Sequence, residues 1–113
     1  MISFACKKIE LSQLIKCSFG MNKTEFNVMM YMLGKEEMRV EEIAQGMTLE
    51  RSTVQKAIKN LVEKSIVHRS QENLEKGGYL FRYLIKDKPV IKRMVLESVD
   101  TWQRKVVDEI NRW

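Results

Sequence analysis

The sequence predicts a mainly α fold with one small β-hairpin, organised around a helix–turn–helix. Three observations carry that prediction. The stretch VEEIAQGMTLERSTVQKAIKNLVEKSIVHR (40–69) holds two amphipathic helical stripes separated by one tight turn. Directly after it the apolar pattern shifts to two strand-like runs around a glycine pair. Helical periodicity then returns over 90–113 and is also present near the start of the chain.

Bulk properties set the frame. With 113 residues the chain suits one domain with a small core. Hydrophobic residues make up 44% and charged residues 31%, the balance of a folded globular protein. The formal net charge of +5 favours a polyanionic partner. No apolar run approaches the roughly 20 residues that span a bilayer, so no membrane partner is expected. The opening MISFACKKIELSQLIK lacks the apolar core and cleavage site of a signal peptide. Two cysteines are too few for a disulfide scaffold. The expected location is the cytoplasm.

Taken in order, residues 4–18 read as a first helix with Ile9, Leu11, Leu14 and Ile15 apolar, stopped at Ser18-Phe19-Gly20. Asn22 then caps a second helix. Glu25 three residues on completes a capping box that satisfies otherwise orphaned backbone N–H groups. Phe26, Val28, Met29, Met30, Met32 and Leu33 wrap much of this helix, which places it centrally, and Gly34 ends it in the left-handed position. Val40, Ile43, Ala44 and Met47 form the buried stripe of the next helix. Thr48 takes the turn and Leu49 plugs the angle. Val54, Ala57, Ile58, Leu61 and Val62 form the second stripe, on a helix of about 51–64. Ile66–Ser70 and Tyr79–Ile85 are strands, and the polar run QENLEKGG between them is a hairpin tip. A helix–turn–helix followed by a hairpin is a winged helix-turn-helix, with the wing at about 66–85 and the winged-helix core at 20–88.

Lys86-Asp87-Lys88-Pro89 breaks the second strand. Beyond it, Ile91, Val95, Val99, Trp102, Val106, Ile110 and Trp113 recur every three or four residues along a terminal helix, 90–113, with charged flanks. So long a stripe has little of its own domain left to cover, and a second copy is the usual cover. The expected dimer interface is this helix together with the first, Leu14 included.

The exposed face of the 51–64 helix carries Arg51, Ser52, Thr53, Gln55, Lys56 and Lys59, with no acid between Arg51 and Asn60. Such a face suits the major groove of double-stranded DNA. Arg51, Gln55 and Lys56 are expected at base edges, where Arg forks onto guanine and Gln onto adenine. Ser52, Thr53 and Lys59 are expected on phosphates, which position and do not specify. From the wing, Arg69, Lys76 and Arg82 are candidates for backbone contacts. Glu50 reads as an N-cap carboxylate favoured by the helix dipole.

The segments FGMNKTEFNVMMYML (19–33), VEEIAQGM (40–47), RSTVQKAIKNLVEKSIVHR (51–69), GGYLFRY (77–83) and the final amphipathic helix resemble the TrmB-type winged-helix regulators of archaea, relatives of the MarR-like group. The resemblance covers nearly the whole chain and implies a dimeric DNA-binding transcription factor. Longer members add a C-terminal effector domain, often for sugars. This chain stops at Trp113, so a sugar effector is not expected of it. Glu50 departs from the Ser or Thr with which such helices start, and Ser65 from the Gly usual before the wing.

Other chemistries find little support. There is one histidine, no nucleophile motif and no glycine-rich phosphate loop, so no enzyme and no cofactor is expected. Cys6 and Cys17 lie 11 apart, about 16 Å on one continuous helix, too far for a disulfide between them. They read as small, partly buried apolar residues, with oxidant sensing or a disulfide across a dimer as the sharper alternative. With His68 they form no recognisable zinc set, so no metal is expected. The methionines of the central helix read as core filler. Trp102 and Trp113 read as interface residues ahead of a ligand pocket. A small-molecule or redox effector stays open. The competing readings for the fold are a protein-interaction module and a sequence-blind, chromatin-like DNA binder.

Overall fold

A computed structural model describes residues 1–113. The element order is β1 (Ile2–Ser3), β2 (Lys8–Ile9), α1 (Leu11–Phe19), α2 (Lys23–Met32), α3 (Val40–Met47), α4 (Arg51–Glu63), β3 (Val67–Asn73), β4 (Tyr79–Ile85) and α5 (Lys88–Arg112). The fold is mainly α with small antiparallel sheets, the winged helix-turn-helix that the sequence predicts. The contacts divide it into two compact units, Asn22–Lys88 and Met1–Met21 with Pro89–Trp113.

In the 22–88 unit, α2 is the central support. Asn22 accepts from the Glu25 N–H at 2.8 Å, and the Glu25 carboxylate accepts in return from the Asn22 N–H at 3.2 Å. Val28, Met29 and Met32 are fully buried, whereas Met30 is half exposed and lies outside the core. Gly34, at φ 79°, ends the helix as expected. Val40, Ile43 and Ala44 of α3 and Val54, Ala57, Ile58 and Leu61 of α4 complete the core, with Ile66, Val67, Tyr83 and Ile85 below the wing. Glu25 is buried as well, and this part of it was not visible in the sequence. It also accepts from Asn60 Nδ2 at 2.7 Å and pairs with Lys64 at 3.9 Å, which ties α2 to α4.

The α3–α4 turn closes on Thr48, at φ 55°, with the Leu49 N–H donating to the Ala44 carbonyl at 2.9 Å. Leu49 itself is 36% exposed and so does not plug the angle. Glu50 sits at the N-cap of α4, as expected, and makes no side-chain cap hydrogen bond, so the helix dipole alone favours its carboxylate there.

Helix α4 ends in a Schellman arrangement. The N–H groups of Ser65 and Ile66 donate to Val62 and Leu61, both at 3.0 Å, and Ser65 has φ 62°. Only glycine takes that conformation without a Cβ penalty. Ser65→Gly should therefore stabilise the protein by about 0.5–1 kcal/mol, after the entropy that glycine costs in the unfolded chain is set against the relieved strain. Urea unfolding measures it, and an unchanged or lower midpoint would contradict the strain argument.

The wing pairs antiparallel in one register, from Val67 with Ile85 to Asn73 with Tyr79. Its first strand runs three residues beyond the predicted end at Ser70. A further residue joins from α2–α3: Met38 exchanges both backbone hydrogen bonds with Tyr83, at 2.9 and 2.8 Å.

In the other unit the predicted helix over 4–18 is shorter. Residues 2–9 make a small hairpin, with Ile2 opposite Ile9, closed by the Phe4 N–H donating to the Lys7 carbonyl at 2.6 Å. Helix α1 begins only at Leu11. Its end is set by Gly20 at φ 65°, as expected, and Ser98 of α5 donates to the carbonyl of Ser18 at 3.1 Å. Helix α5 starts at Lys88, with Pro89 in the first turn, where its missing N–H costs nothing. No helix is long and apolar enough to cross a membrane.

Candidate nucleic-acid interface

Burial of Val54, Ala57, Ile58 and Leu61 fixes which side of α4 faces outward. Arg51, Ser52, Gln55, Lys56 and Lys59 are exposed, and Thr53 is half-buried. Arg51, Gln55 and Lys59 follow one another at intervals of four, so they form a single row along the helix.

Arg51 is not unattached. Its Nε donates to Glu41 Oε1 of α3 at 2.9 Å. A hydrogen bond with its own backbone amide and the Arg51 guanidinium hold the Glu41 carboxyl below the usual carboxylate range. Arg39, close by, is engaged by Glu42 at 3.4 Å.

Between α4 and the wing lies an open groove of about 730 Å³ whose wall includes Gln55, Lys59, Arg69, Tyr83 and Lys86. The fold thus brings together two predicted residues of α4 and one of the wing. The single acid in the wall is Glu63, the last residue of α4. Arg69 stacks on Phe81, its guanidinium carbon 4.6 Å from the ring centroid, which restrains a side chain that is otherwise costly to order. Lys86 was read from the sequence only as part of a strand break. Its N–H donates to the Ile66 carbonyl at 3.0 Å, and that bond sets its place beside the wing.

Arg82 belongs elsewhere. The register sets Arg69 opposite Tyr83 and Ser70 opposite Arg82, so Arg69 and Arg82 project from opposite faces of the hairpin. Arg82 pairs with Glu72 at 3.5 Å; the Glu42 carboxyl is held down chiefly by the Arg39 backbone N–H and guanidinium, with Arg82 adding a little. Of these two candidates for backbone contacts, only Arg69 therefore shares a face with the groove-side residue Tyr83. Lys76 is at the exposed tip of the wing.

In the unit of α1 and α5, the apolar stripe changes character along its length. Ile91 and Val95 are already buried in the chain, which leaves little of either for a partner. Leu14, Val99 and Val106 are half-buried. Trp102 and Ile110 are more than half exposed, and Trp113 is fully exposed. Trp102 also borders a groove of about 550 Å³ with Phe19, Met94 and Ser98. Cys6 and Cys17 are both exposed, one in the turn of the β1–β2 hairpin and one on α1. They do not share a helix, so the 16 Å separation does not apply, nor does their reading as partly buried apolar residues.

Residues 9–106 match the family model of the DnaD N-terminal domain. The chain belongs to that family. A solved structure from Methanosarcina mazei Go1, described as a possible transcriptional regulator, is 35% identical, with a TM-score of 0.92 over 100% of this chain and 96% of that one. The uncharacterized protein MJ1082 of Methanocaldococcus jannaschii is 32% identical over 100 residues, 88% of this chain and 82% of its own length. A MarR family protein from Bacillus stearothermophilus shares the winged-helix fold, with a TM-score of 0.54 at 18% identity over 88% of this chain and 66% of that one. The motifs behind the TrmB-type resemblance are the ones that build this fold, and the family they lead to here is the DnaD N-terminal domain.

Proposed function

We propose that this chain is a DNA-binding transcription regulator that works as a homodimer. Helix α4 enters the major groove, where Arg51, Gln55 and Lys56 meet base edges and Ser52, Thr53 and Lys59 meet phosphates. The wing follows the adjacent backbone through Arg69, with Lys76 at its tip. The observation that carries this reading is the cationic groove shared by α4 and the wing, with Gln55, Lys59, Arg69 and Lys86 in its wall. The net charge of +5 supports it, as does the likeness to the Methanosarcina mazei protein, described as a possible transcriptional regulator and not as an enzyme. The finer reading, a TrmB-type archaeal regulator of the cytoplasm, rests on the motifs alone.

Two copies would set their α4 helices in successive major grooves about 34 Å apart, on a pseudo-palindromic site. Selection of bound sequences from a random duplex pool at near-physiological salt is the direct test. Paired half-sites about one helical turn apart are the expected result. Salt-sensitive binding without sequence preference would make the protein a chromatin-like binder, and no binding at all would leave a protein-contact role.

The wing makes a sharper comparison. Arg69→Ala and Lys59→Ala should each lower the slope of log affinity against log salt by about one, whereas Arg82→Ala should leave it unchanged. Equal effects of Arg69 and Arg82 would contradict the face assignment. Gln55→Ala should relax preference at one base position by about 1–3 kcal/mol.

A further inference from the structure

Arg51 opens α4, and Glu41 stands in the first turn of α3, ten residues back. The two meet through one bond, Nε to Oε1 at 2.9 Å, with the side chains 62% and 51% exposed. An isolated surface pair of this kind adds little to stability. Its geometry matters more. A guanidinium has five donors in one plane, and Glu41 uses the Nε edge. The donors on the two terminal nitrogens stay available, and a guanine O6/N7 edge takes two such donors in parallel. A free arginine loses much rotamer freedom when it docks, whereas one held at Nε has already lost part of it.

The carboxylate is itself restrained. Its own backbone amide and the Arg51 guanidinium hold it below the usual carboxylate range, at the N-terminal end of α3, where the helix dipole favours negative charge. The neighbouring Arg39 is taken up by Glu42. Glu41 therefore carries a charge held in place, with Arg51 as its hydrogen-bonded partner.

We propose that Glu41 is a specificity-determining positioning residue, which holds the Arg51 guanidinium by its Nε so that the terminal nitrogens fork onto one guanine. The proposal rests on the reading of α4 as the major-groove helix. It also predicts opposite signs for two observables. An acid beside the DNA repels every duplex alike, so its removal raises general affinity while it loosens the choice of base.

The test uses the full chain as wild type, Glu41→Gln, Arg51→Ala and the double variant. Each is titrated with the selected operator, with operators altered at the base pair whose preference Arg51→Ala removes, and with a random duplex, all at one salt concentration. In Glu41→Gln, discrimination at that base pair should fall on the order of tenfold. Other positions and the melting midpoint should hold, and random-duplex affinity should rise. On the Arg51→Ala background, Glu41→Gln should cost no further discrimination. Full discrimination in Glu41→Gln overturns the proposal and leaves the reading of α4 intact. A uniform loss across all duplexes with a lower melting midpoint also overturns it, in favour of a structural role. A wild type without base preference overturns the reading of α4, and this proposal with it.

Discussion

Replacing Glu25 with alanine should cost about 3–5 kcal/mol, a large share of the roughly 5–15 kcal/mol that holds a domain of this size together. Glu25 is 3% exposed, and its carboxylate serves four groups on three residues: the Asn22 N–H and Nδ2, Asn60 Nδ2 at 2.7 Å, and Lys64 at 3.9 Å. Alanine removes the acceptor and leaves the donors in place. The Asn60 amide is then short of a partner in a part-buried site, and Lys64, 27% exposed, loses its counter-charge. Glu25→Gln should recover part of the loss, because Gln keeps an acceptor for the cap while its amide faces another amide donor at Asn60. The midpoint of thermal unfolding, followed by circular dichroism, should fall by more than about 10 °C for alanine. A loss below about 1 kcal/mol would mean that Asn60 and Lys64 find other partners, and that α4 is seated by its apolar side alone. The consequence reaches the proposed function: Asn60 is on the helix that presents Arg51, Gln55 and Lys59, so this cluster fixes the pitch of the face proposed to meet DNA.

Much of this could be read from residue order because the controlling interactions are local. The Asn22–Glu25 box spans three residues, and the stripes of α3 and α4 repeat every three or four, so both leave periodic traces. Gly77-Gly78 marks the wing tip in the same way, both at positive φ. What escaped has other causes. The β1–β2 hairpin uses two-residue strands, too short for any period, and it takes Ile9, paired with Ile2, out of the helical series that Leu11 and Leu14 continue in α1. Met38 joins the wing as a single bridge from a polar segment. The second half of Glu25's role depends on Asn60, 35 residues away, and the tether on Arg51 depends on Glu41 in another helix. Arg82 is different, since a register would have settled it. With Asn73 opposite Tyr79, alternation alone puts 69 and 82 on opposite faces.

Removing everything from Asp100 onward should leave a folded monomer whose affinity for a paired operator is about 10²–10⁴-fold weaker. The argument starts from what the removed segment covers. Ile91 and Val95, which stay, are buried; Trp102, Val107, Ile110 and Trp113, which go, are 46–103% exposed. Their loss takes little from the chain's own core. It takes a great deal from a second copy packed along α5, because each large apolar side chain buried there contributes about 1.5–3 kcal/mol. Binding to two half-sites draws on the link between two copies, and without it each α4 must find its half-site alone. Truncation can also perturb the start of α5, so full-length Trp102→Asp and Ile110→Asp serve as the second arm. Each places a charge on the exposed stripe, and each should shift sedimentation from dimer toward monomer without lowering helical content. Single half-site affinity should be kept in all three proteins, since none of these residues is on α4 or the wing. A truncated chain that still sediments as a dimer would move the interface away from this half of α5, and α1 with Leu14 would be the next face to test. A full-length protein that is monomeric at every concentration would remove the two-fold reading, and the spacing of half-sites with it.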